Sequence, residues 1–347
     1  MPPSKTNAKS KPRKNDKKQS VTCQTPSSPQ VTTELQTLLL DIFSRSFAER
    51  LQSDIHPLLQ EVKGHLYNRD FAAAFGRDDY LETYAARWSP SRALGYVQAL
   101  VDLEPHLGLV GKDVEGEPAP SSKIVCLGGG AGAELVALAG FLHPTIHKSA
   151  RGSSARSFDI VAIDIANWTH VVEKLHHSVC TAPPISPYAS AASRSANAPL
   201  VATDHFHATF YQHDLLNTDF SILNPLLQDA KLITLMFTLN ELYSTSISLT
   251  QTFLLGLTAS LPAEAFLLIV DSPGSYSTIN LNGTEKKYPM QWLLDHTLLR
   301  QGEKGEAAVW HKVLEDESRW CRLPSSLKYP IELENLRFQL HLYKKMG

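Results

Sequence analysis

Residues 124–138, IVCLGGGAGAELVAL, set a short apolar run against a cluster of glycines and then a helical repeat. Ile124 to Leu127 reads as a strand buried on both faces. Gly128, Gly129, Gly130 and Gly132 let the chain turn sharply and bring its backbone close to a ligand, because no Cβ intervenes. Glu134 opens a pattern that stays apolar to Leu142, so the turn feeds a helix N-terminus with free N–H groups. Strand, glycine turn and helix in that order suit a nucleotide-like cofactor at the carboxyl end of a sheet strand. Two spacings fit. Gly128, Gly130 and Ala133 satisfy the dinucleotide fingerprint with its allowed alanine, whereas Gly128, Gly130 and Gly132 make G-x-G-x-G. An ordinary tight turn uses the same residues.

Later strand ends repeat the pattern. FDIVAID, 158–164, closes on Asp164, placed to accept hydrogen bonds from both hydroxyls of a ribose. Its separation from Gly128 exceeds the usual ~20 residues, and the polar segment 147–157 accounts for the excess as an inserted loop. ATFYQHDLLN, 208–217, brings Asp214 to meet an adenine amino group, with Leu215 beside the ring; a turn or N-cap role for Asp214 stands alongside. KLITLMFTLNELYS, 231–244, reads as a buried strand running into a helix, with Asn240 and Glu241 at its carboxyl end. FLLIVDSPGSYS, 266–277, does the same and ends at Asp271. Four strand ends therefore share one rim, which is more specific than any one motif. WHKVLED (310–316) and NLRFQLHLYKK (335–345) complete an α/β sheet as an antiparallel hairpin.

Ahead of this core, residues 31–110 predict a helical extension. Leu35, Leu38, Leu39, Ile42, Phe43 and Phe47 form one apolar face, and His56–Pro57 is expected to kink or break it. Residues 65–103 are rich in aromatics and arginine and read as helical on both sides of Ser89–Pro90, with Ser89 as N-cap and Pro90 in the first turn. Residues 111–121 read as a linker, and 181–200, rich in Pro, Ala and Ser, as a mobile surface loop. The net charge of −2 hides an uneven split: residues 1–20 hold seven lysines and arginines against one aspartate, leaving about −8 for the rest. Such a tail, residues 1–30, is expected to be disordered and to bind nucleic acid or serve nuclear import. No apolar stretch of about 18 residues predicts a membrane span. The four cysteines are scattered without a Cys/His cluster, so no metal is expected.

The G-x-G-x-G turn with Glu134 two places on resembles the first motif of class I S-adenosylmethionine methyltransferases. A narrower block, YNRDFAAAFGRDDYLETYAARWSPSRALGY with VCLGGGAGAEL, AIDIANW and TLMFTLNELYS, resembles the fungal 25S rRNA uridine-N3 methyltransferases that carry an N-terminal helical extension. The resemblance covers residues 65–345. It implies a Rossmann-like, mostly parallel sheet and S-adenosylmethionine as cofactor, bound by Gly128, Gly129, Gly130, Gly132, Glu134, Asp164, Asp214 and Leu215. It also implies large-subunit rRNA or a pre-ribosome as partner, in the nucleolus or nucleus, with the cytoplasm as a second location. Oligomeric state stays open. Two other readings remain: a class I methyltransferase acting on a protein or small molecule, and a non-catalytic ribosome-assembly factor with this fold.

Methyl transfer from a sulfonium is an in-line displacement dominated by orientation. Uridine N3 carries a proton, so a base is useful: Glu241 is the candidate, with Asn240 on the uracil edge. A first-turn helix carboxylate is the plainer role for Glu241. The base must be unpaired or flipped, and aromatic residues then stack it. Trp88, Tyr84, Tyr243 and Tyr276 are candidates, each also readable as an ordinary core or surface aromatic. Arg87 and Arg92 flank Trp88 and are candidates for RNA phosphates, or for ion pairs with Glu82 or Asp79.

Overall fold

The computed structural model describes residues 30–109, 121–149, 156–274, 276–281, 284–299 and 308–347, with the backbone alone over 145–149, 276–281 and 284–286. The basic tail, and the linker but for its last residue, lie outside these. The extension is helical: α1 (Thr33–Ser46), α2 (Ala48–Gln52), α3 (His56–Tyr67), α4 (Phe71–Ala74) and α5 (Asp78–Leu107). The long first helix expected over 31–64 is divided in two places. The chain leaves α1 at Phe47 and α2 at Ser53, and Pro57 then sits in the first turn of α3, where its missing N–H costs nothing.

The expected break at Ser89–Pro90 is absent. Helix α5 runs unbroken through Pro90 for 30 residues. An interior proline removes a bond to the carbonyl four residues back, at a cost of ~3 kcal/mol or more. That carbonyl belongs to Ala86, and it accepts the Tyr329 hydroxyl instead, at 2.9 Å. Ser89 does not cap; its Oγ donates to the Ala131 carbonyl at 2.7 Å, joining the extension to the glycine turn.

The core alternates β1 (Ser122–Leu127), α6 (Ala133–Ser149), β2 (Phe158–Asp164), α7 (Thr169–Cys180), the short α8 (Ala191–Ala196), β3 (Phe206–Gln212), α9 (Phe220–Leu227), β4 (Ala230–Met236), α10 (Leu239–Thr245), α11 (Ile247–Ser260) and β5 (Phe266–Asp271). A two-stranded ribbon, β6 (Tyr276–Leu281) and β7 (Thr284–Pro289), which the sequence reading lacked, precedes α12 (Met290–Leu299). The chain ends with β8 (Trp310–Cys321) and β9 (Leu336–Lys345). The main sheet has the order β3-β2-β1-β4-β5-β9-β8. Strands β1 to β5 are parallel, and β9 is antiparallel to both β5 and β8. This mostly parallel sheet with its C-terminal hairpin is the arrangement that the resemblance implies. Residues 181–200 lie mostly exposed beside α7, with α8 inside them.

Strand β1 reads as a continuous apolar run because both faces are covered. Ile124 and Cys126 pack with α1, α5, α6 and α7, whereas Val125 and Leu127 pack with α9, α10, α11 and α12. Among the described residues no helix is long and apolar enough to cross a membrane.

Tyr329→Phe deletes the surrogate for the bond lost at Pro90 and leaves the Ala86 carbonyl unsatisfied. Urea denaturation should show a loss of about 1–3 kcal/mol; an unchanged midpoint would mean that another donor serves this carbonyl.

Candidate active site

Strand β1 is paired to β2 on one side and to β4 on the other, so the chain leaves it in opposite directions at this point. Ligands of open α/β sheets bind in the crevice such a switch creates. Here the crevice is a cavity of about 570 Å³, a size typical of small-ligand sites. Gly128 and Ala131 of the turn line it. So do Asp164 from β2, Asp214 and Leu215 after β3, Met236, Phe237, Thr238, Asn240 and Glu241 after β4, and Asp271 from β5. The expected rim is thus assembled around one volume.

The glycines serve mainly to let the turn fit its own neighbours. Gly128 has a φ of +78°, and a Cβ there would stand 2.2 Å from Thr238 Oγ1. A Cβ on Gly130 would fall 2.0 Å from the Trp168 ring. Gly129, Gly130 and Gly132 turn toward Glu134, Trp168 and Leu175 and do not line the cavity.

Asp164 Oδ2 accepts the Gly130 N–H at 3.1 Å, and Oδ1 accepts that of Ala166 at 3.3 Å. Burial pushes its carboxyl up in spite of these bonds. The Ile165 N–H and the Trp168 side chain also favour the ionised form, so Asp164 stands as an acceptor at the crevice, the role a ribose hydroxyl needs. Asp214 accepts the Leu216 N–H at 2.9 Å and Asn217 Nδ2 at 2.7 Å while lining the cavity, so turn residue and cavity residue are one and the same. Glu134, expected at the cofactor, lies elsewhere. It is buried beneath the turn, where Thr234 Oγ1 donates to its Oε1 at 2.6 Å. Burial pushes its pKa up to about 8, with the charge of Asp164 adding to the effect.

The far wall comes from the helical extension. Phe75, Tyr84 and Trp88 line the cavity with Trp168 in one aromatic cluster. Ring centres lie 5.2 Å apart for Phe75–Tyr84, 5.4 Å for Phe75–Trp168 and 4.8 Å for Tyr84–Trp88. Tyr67, 89% exposed, and Arg69 stand at its mouth. Arg92 also faces the cavity. Its Nη1 donates to the Tyr84 hydroxyl at 2.8 Å, and its guanidinium sits over the rings of Tyr84 and Phe237, 5.6 and 5.1 Å from their centres. No ion pair joins Arg92 to a carboxylate among the described residues. The cavity therefore holds an arginine whose countercharge a ligand can supply.

Arg87 and Tyr243 are not at this site. Arg87 is buried and paired with Glu334, not with the acids of its own helix, and Tyr243 is buried in the core beside α12. The side chain of Tyr276 lies outside those described. Asn240 and Glu241 occupy the first turn of α10. The Asn240 N–H donates to Asp271 Oδ2 at 2.9 Å, and the Ser272 N–H to Oδ1 at 2.7 Å. Burial pushes Asp271 up to about 6, and Glu241 pushes the same way. Glu241 Oε2 is buried without a hydrogen-bond partner.

The sequence reading missed Trp168, Phe75, Phe237 and Arg69. The signal for Phe75 and Arg69 was the aromatic and arginine content of the extension, and that for Trp168 and Phe237 their place just past the ends of β2 and β4; spacing alone directs none of them at a cavity. Phe237 has a φ of +58°, a left-handed conformation rare for an aromatic residue, and it faces the site. Such backbone strain gathers where function needs it.

Glu134 makes stability depend on pH. Between its ordinary value of 4.5 and about 8, the unfolded chain has released this proton while the folded chain keeps it. The contribution of Glu134 to stability therefore falls as pH rises through that window. Glu134→Gln should flatten the pH dependence of urea stability between pH 5 and 8 and raise stability at pH 8; an unchanged profile would show the group ionised in the fold.

Residues 43–344 match a family described as SAM-dependent methyltransferases. A curated relative in Saccharomyces cerevisiae, 25S rRNA (uridine(2843)-N(3))-methyltransferase, is 34% identical over 327 residues, covering 88% of this chain and 85% of its own length. Solved structures of SAM-dependent methyltransferases from Clostridium acetobutylicum and Methanosarcina mazei align at 10% and 8% identity. They cover 81% and 65% of this chain and 100% and 93% of theirs, at TM-scores of 0.34 and 0.33, too low to carry any argument. The family match spans most of the chain and the curated relative is well above the level of chance, so this chain belongs to the S-adenosylmethionine-dependent methyltransferases.

Proposed function

We propose that this chain methylates N3 of one uridine in large-subunit rRNA during ribosome assembly in the nucleolus or nucleus. The observation that carries the reading is the 34% identity to the yeast 25S rRNA uridine-N3 methyltransferase over nearly the whole of both chains. An aromatic-walled cavity beside Asn240 and Glu241 supports it, because an unpaired base needs a surface on which to stack.

When bound, S-adenosylmethionine supplies an electrophilic methyl group on a sulfonium. The cavity fits such a molecule through three groups. Asp164 would accept the ribose hydroxyls, Asp214 with Leu215 would meet the adenine, and Arg92, in no ion pair with a carboxylate among the described residues, would balance the carboxylate of the amino-acid end. On this reading Arg92 would serve the cofactor inside the cavity in place of RNA phosphates.

On the substrate side, Tyr84 and Trp88 offer faces for the uracil ring. Glu241 Oε2, with its hydrogen-bonding capacity unused, takes the N3 proton, and the lone pair so freed lies in the ring plane ready for in-line attack. Asp271 is a positioning residue: it holds the backbone of Asn240 and so fixes the turn that aims Glu241. No group of three or more His, Cys, Asp or Glu able to hold a metal occurs among the described residues; orientation and proton removal are the roles assigned to this chain.

Mapping of modified uridines in large-subunit rRNA by mass spectrometry after gene deletion tests the reading. One N3-methyluridine should vanish, return with the wild-type gene and stay absent with Asp164→Ala. An unchanged map would turn attention to protein or small-molecule acceptors. Glu241→Gln should lower turnover about 100-fold or more with cofactor affinity by calorimetry unchanged; a wild-type rate at saturating cofactor would remove Glu241 as the base.

A further inference from the structure

A second cluster of aromatic and cationic side chains stands on the same rim of the sheet, away from the cavity. Strand β9 pairs with β5 so that Asp271, which lines the cavity, lies opposite Gln339. Two residues further toward the start of β9 is Arg337, and Trp320 on β8 is its direct partner. Both therefore lie past the carboxyl ends of the parallel strands, Arg337 one strand spacing (about 5 Å) and Trp320 two (about 10 Å) across from the strand of Asp271. Directly opposed residues of an antiparallel pair project to the same face. Leu336 and Cys321 pack beneath Gly95 of α5, so Trp320 and Arg337 project from the other face.

Trp320 is 52% exposed. The guanidinium groups of Arg322 and Arg337 both sit over its ring, each 5.5 Å from the centre. The charges around them are unbalanced. Residues 319–337 contain four arginines and lysines and two glutamates. Arg319 is engaged by Asp102 and Asp316, and Glu334 by Arg87. No ion pair joins Arg322, Lys328 or Arg337 to a carboxylate among the described residues. Glu315 and Asp316, just before this segment on β8, are paired with Lys312 and Arg319, so the positive character of the patch is that of the three cations left without an ion pair.

We propose that Trp320, Arg322 and Arg337 form an accessory docking surface for single-stranded RNA flanking the target uridine. Exposed guanidinium planes held against an indole offer flat faces to unpaired bases and charge to phosphates, the combination that grips single strands without reading sequence. The position on the cavity rim suits a strand whose neighbouring nucleotide enters the active site. An overall acidic fold needs such a concentrated patch, since it has no broad field to attract a polyanion. The assignment rests on the rRNA reading above for its substrate, but its own contact chemistry is independent of methyl transfer.

The test uses the full-length chain and a fluorescein-labelled, unstructured, uridine-containing RNA oligonucleotide, followed by anisotropy at several salt concentrations. Arg322→Gln with Arg337→Gln should weaken binding about tenfold or more and lower the salt dependence by about two phosphate contacts. Trp320→Ala should weaken binding while leaving the salt dependence close to that of the wild type. S-adenosylmethionine affinity should be the same in all three proteins, which excludes misfolding as the cause.

Variants that bind RNA with wild-type affinity and salt dependence would overturn the proposal, as would a wild-type chain that binds no RNA. Unaltered RNA binding with a selective loss of poly-glutamate binding would overturn it in favour of an acidic protein partner. The rRNA map separates the two assignments. Variants defective in RNA binding, with no methylated uridine traced to the wild type, would support the surface and remove the substrate reading. An intact map with unaffected variants would do the reverse.

Discussion

Everything at the active site depends on β1 being hydrogen-bonded on both edges. With β2 on one side and β4 on the other, the helices that follow these strands must pack on opposite faces of the sheet. The gap between them at the strand ends is a consequence of topology. The turn after β1 then has to cross between Thr238 and Trp168 with almost no clearance, which excludes side chains at Gly128 and Gly130. The same pairing carries Asp164 to one side of the gap and Asn240, Glu241 and Asp271 to the other. A single parallel register thus sets both the cofactor end and the reactive end.

The helical extension completes this site and does not merely flank it. Its longest element, α5, tolerates a proline at its centre because a tyrosine from the β8–β9 connection supplies the missing donor. The adjacent serine ties the same helix to the glycine turn. Tyr84, Trp88 and Arg92 are projected into the cavity from this anchored segment, with Phe75 arriving from the turn before it. A half-buried arginine held between aromatic rings, with Asp271 near it but in no ion pair, is costly to keep. Its retention at the cofactor crevice is physically reasonable where the ligand itself carries the negative charge.

The carboxylates sort by environment. Glu134 is sealed under the turn and favours its proton, burial raises Asp271 to about 6 against the pull of two backbone N–H groups, and Glu241 keeps an oxygen uncommitted at the cavity. Glu241 and Asp271 both line the cavity, and of the two only Glu241 keeps a buried oxygen with no hydrogen-bond partner at all. It is therefore the one placed to accept a proton, and Asp271 the one placed to orient it.

The apolar runs at 124–127, 158–163, 231–236 and 266–270 and the polar residues that end them determined the sheet and its rim, because a strand buried on both faces leaves its own record in composition. Strand β9 was legible from its mostly buried middle, whereas its partner β8 is a largely exposed edge strand with no such apolar run; Asp164, Asp214, Asn240 and Glu241 were legible as rim residues. Local pattern misjudged Pro90, where the compensating hydroxyl comes from Tyr329, far away in the chain. It also placed Glu134 at the ligand, although the rotation of α6 turns that carboxyl under the loop toward Thr234. Arg87 and Arg92, five residues apart on one helix, looked equivalent; their orientation on α5 sent one to Glu334 and the other into the cavity. Period and composition determine which face of an element is buried, but what a polar side chain meets there is decided only when distant segments pack against it.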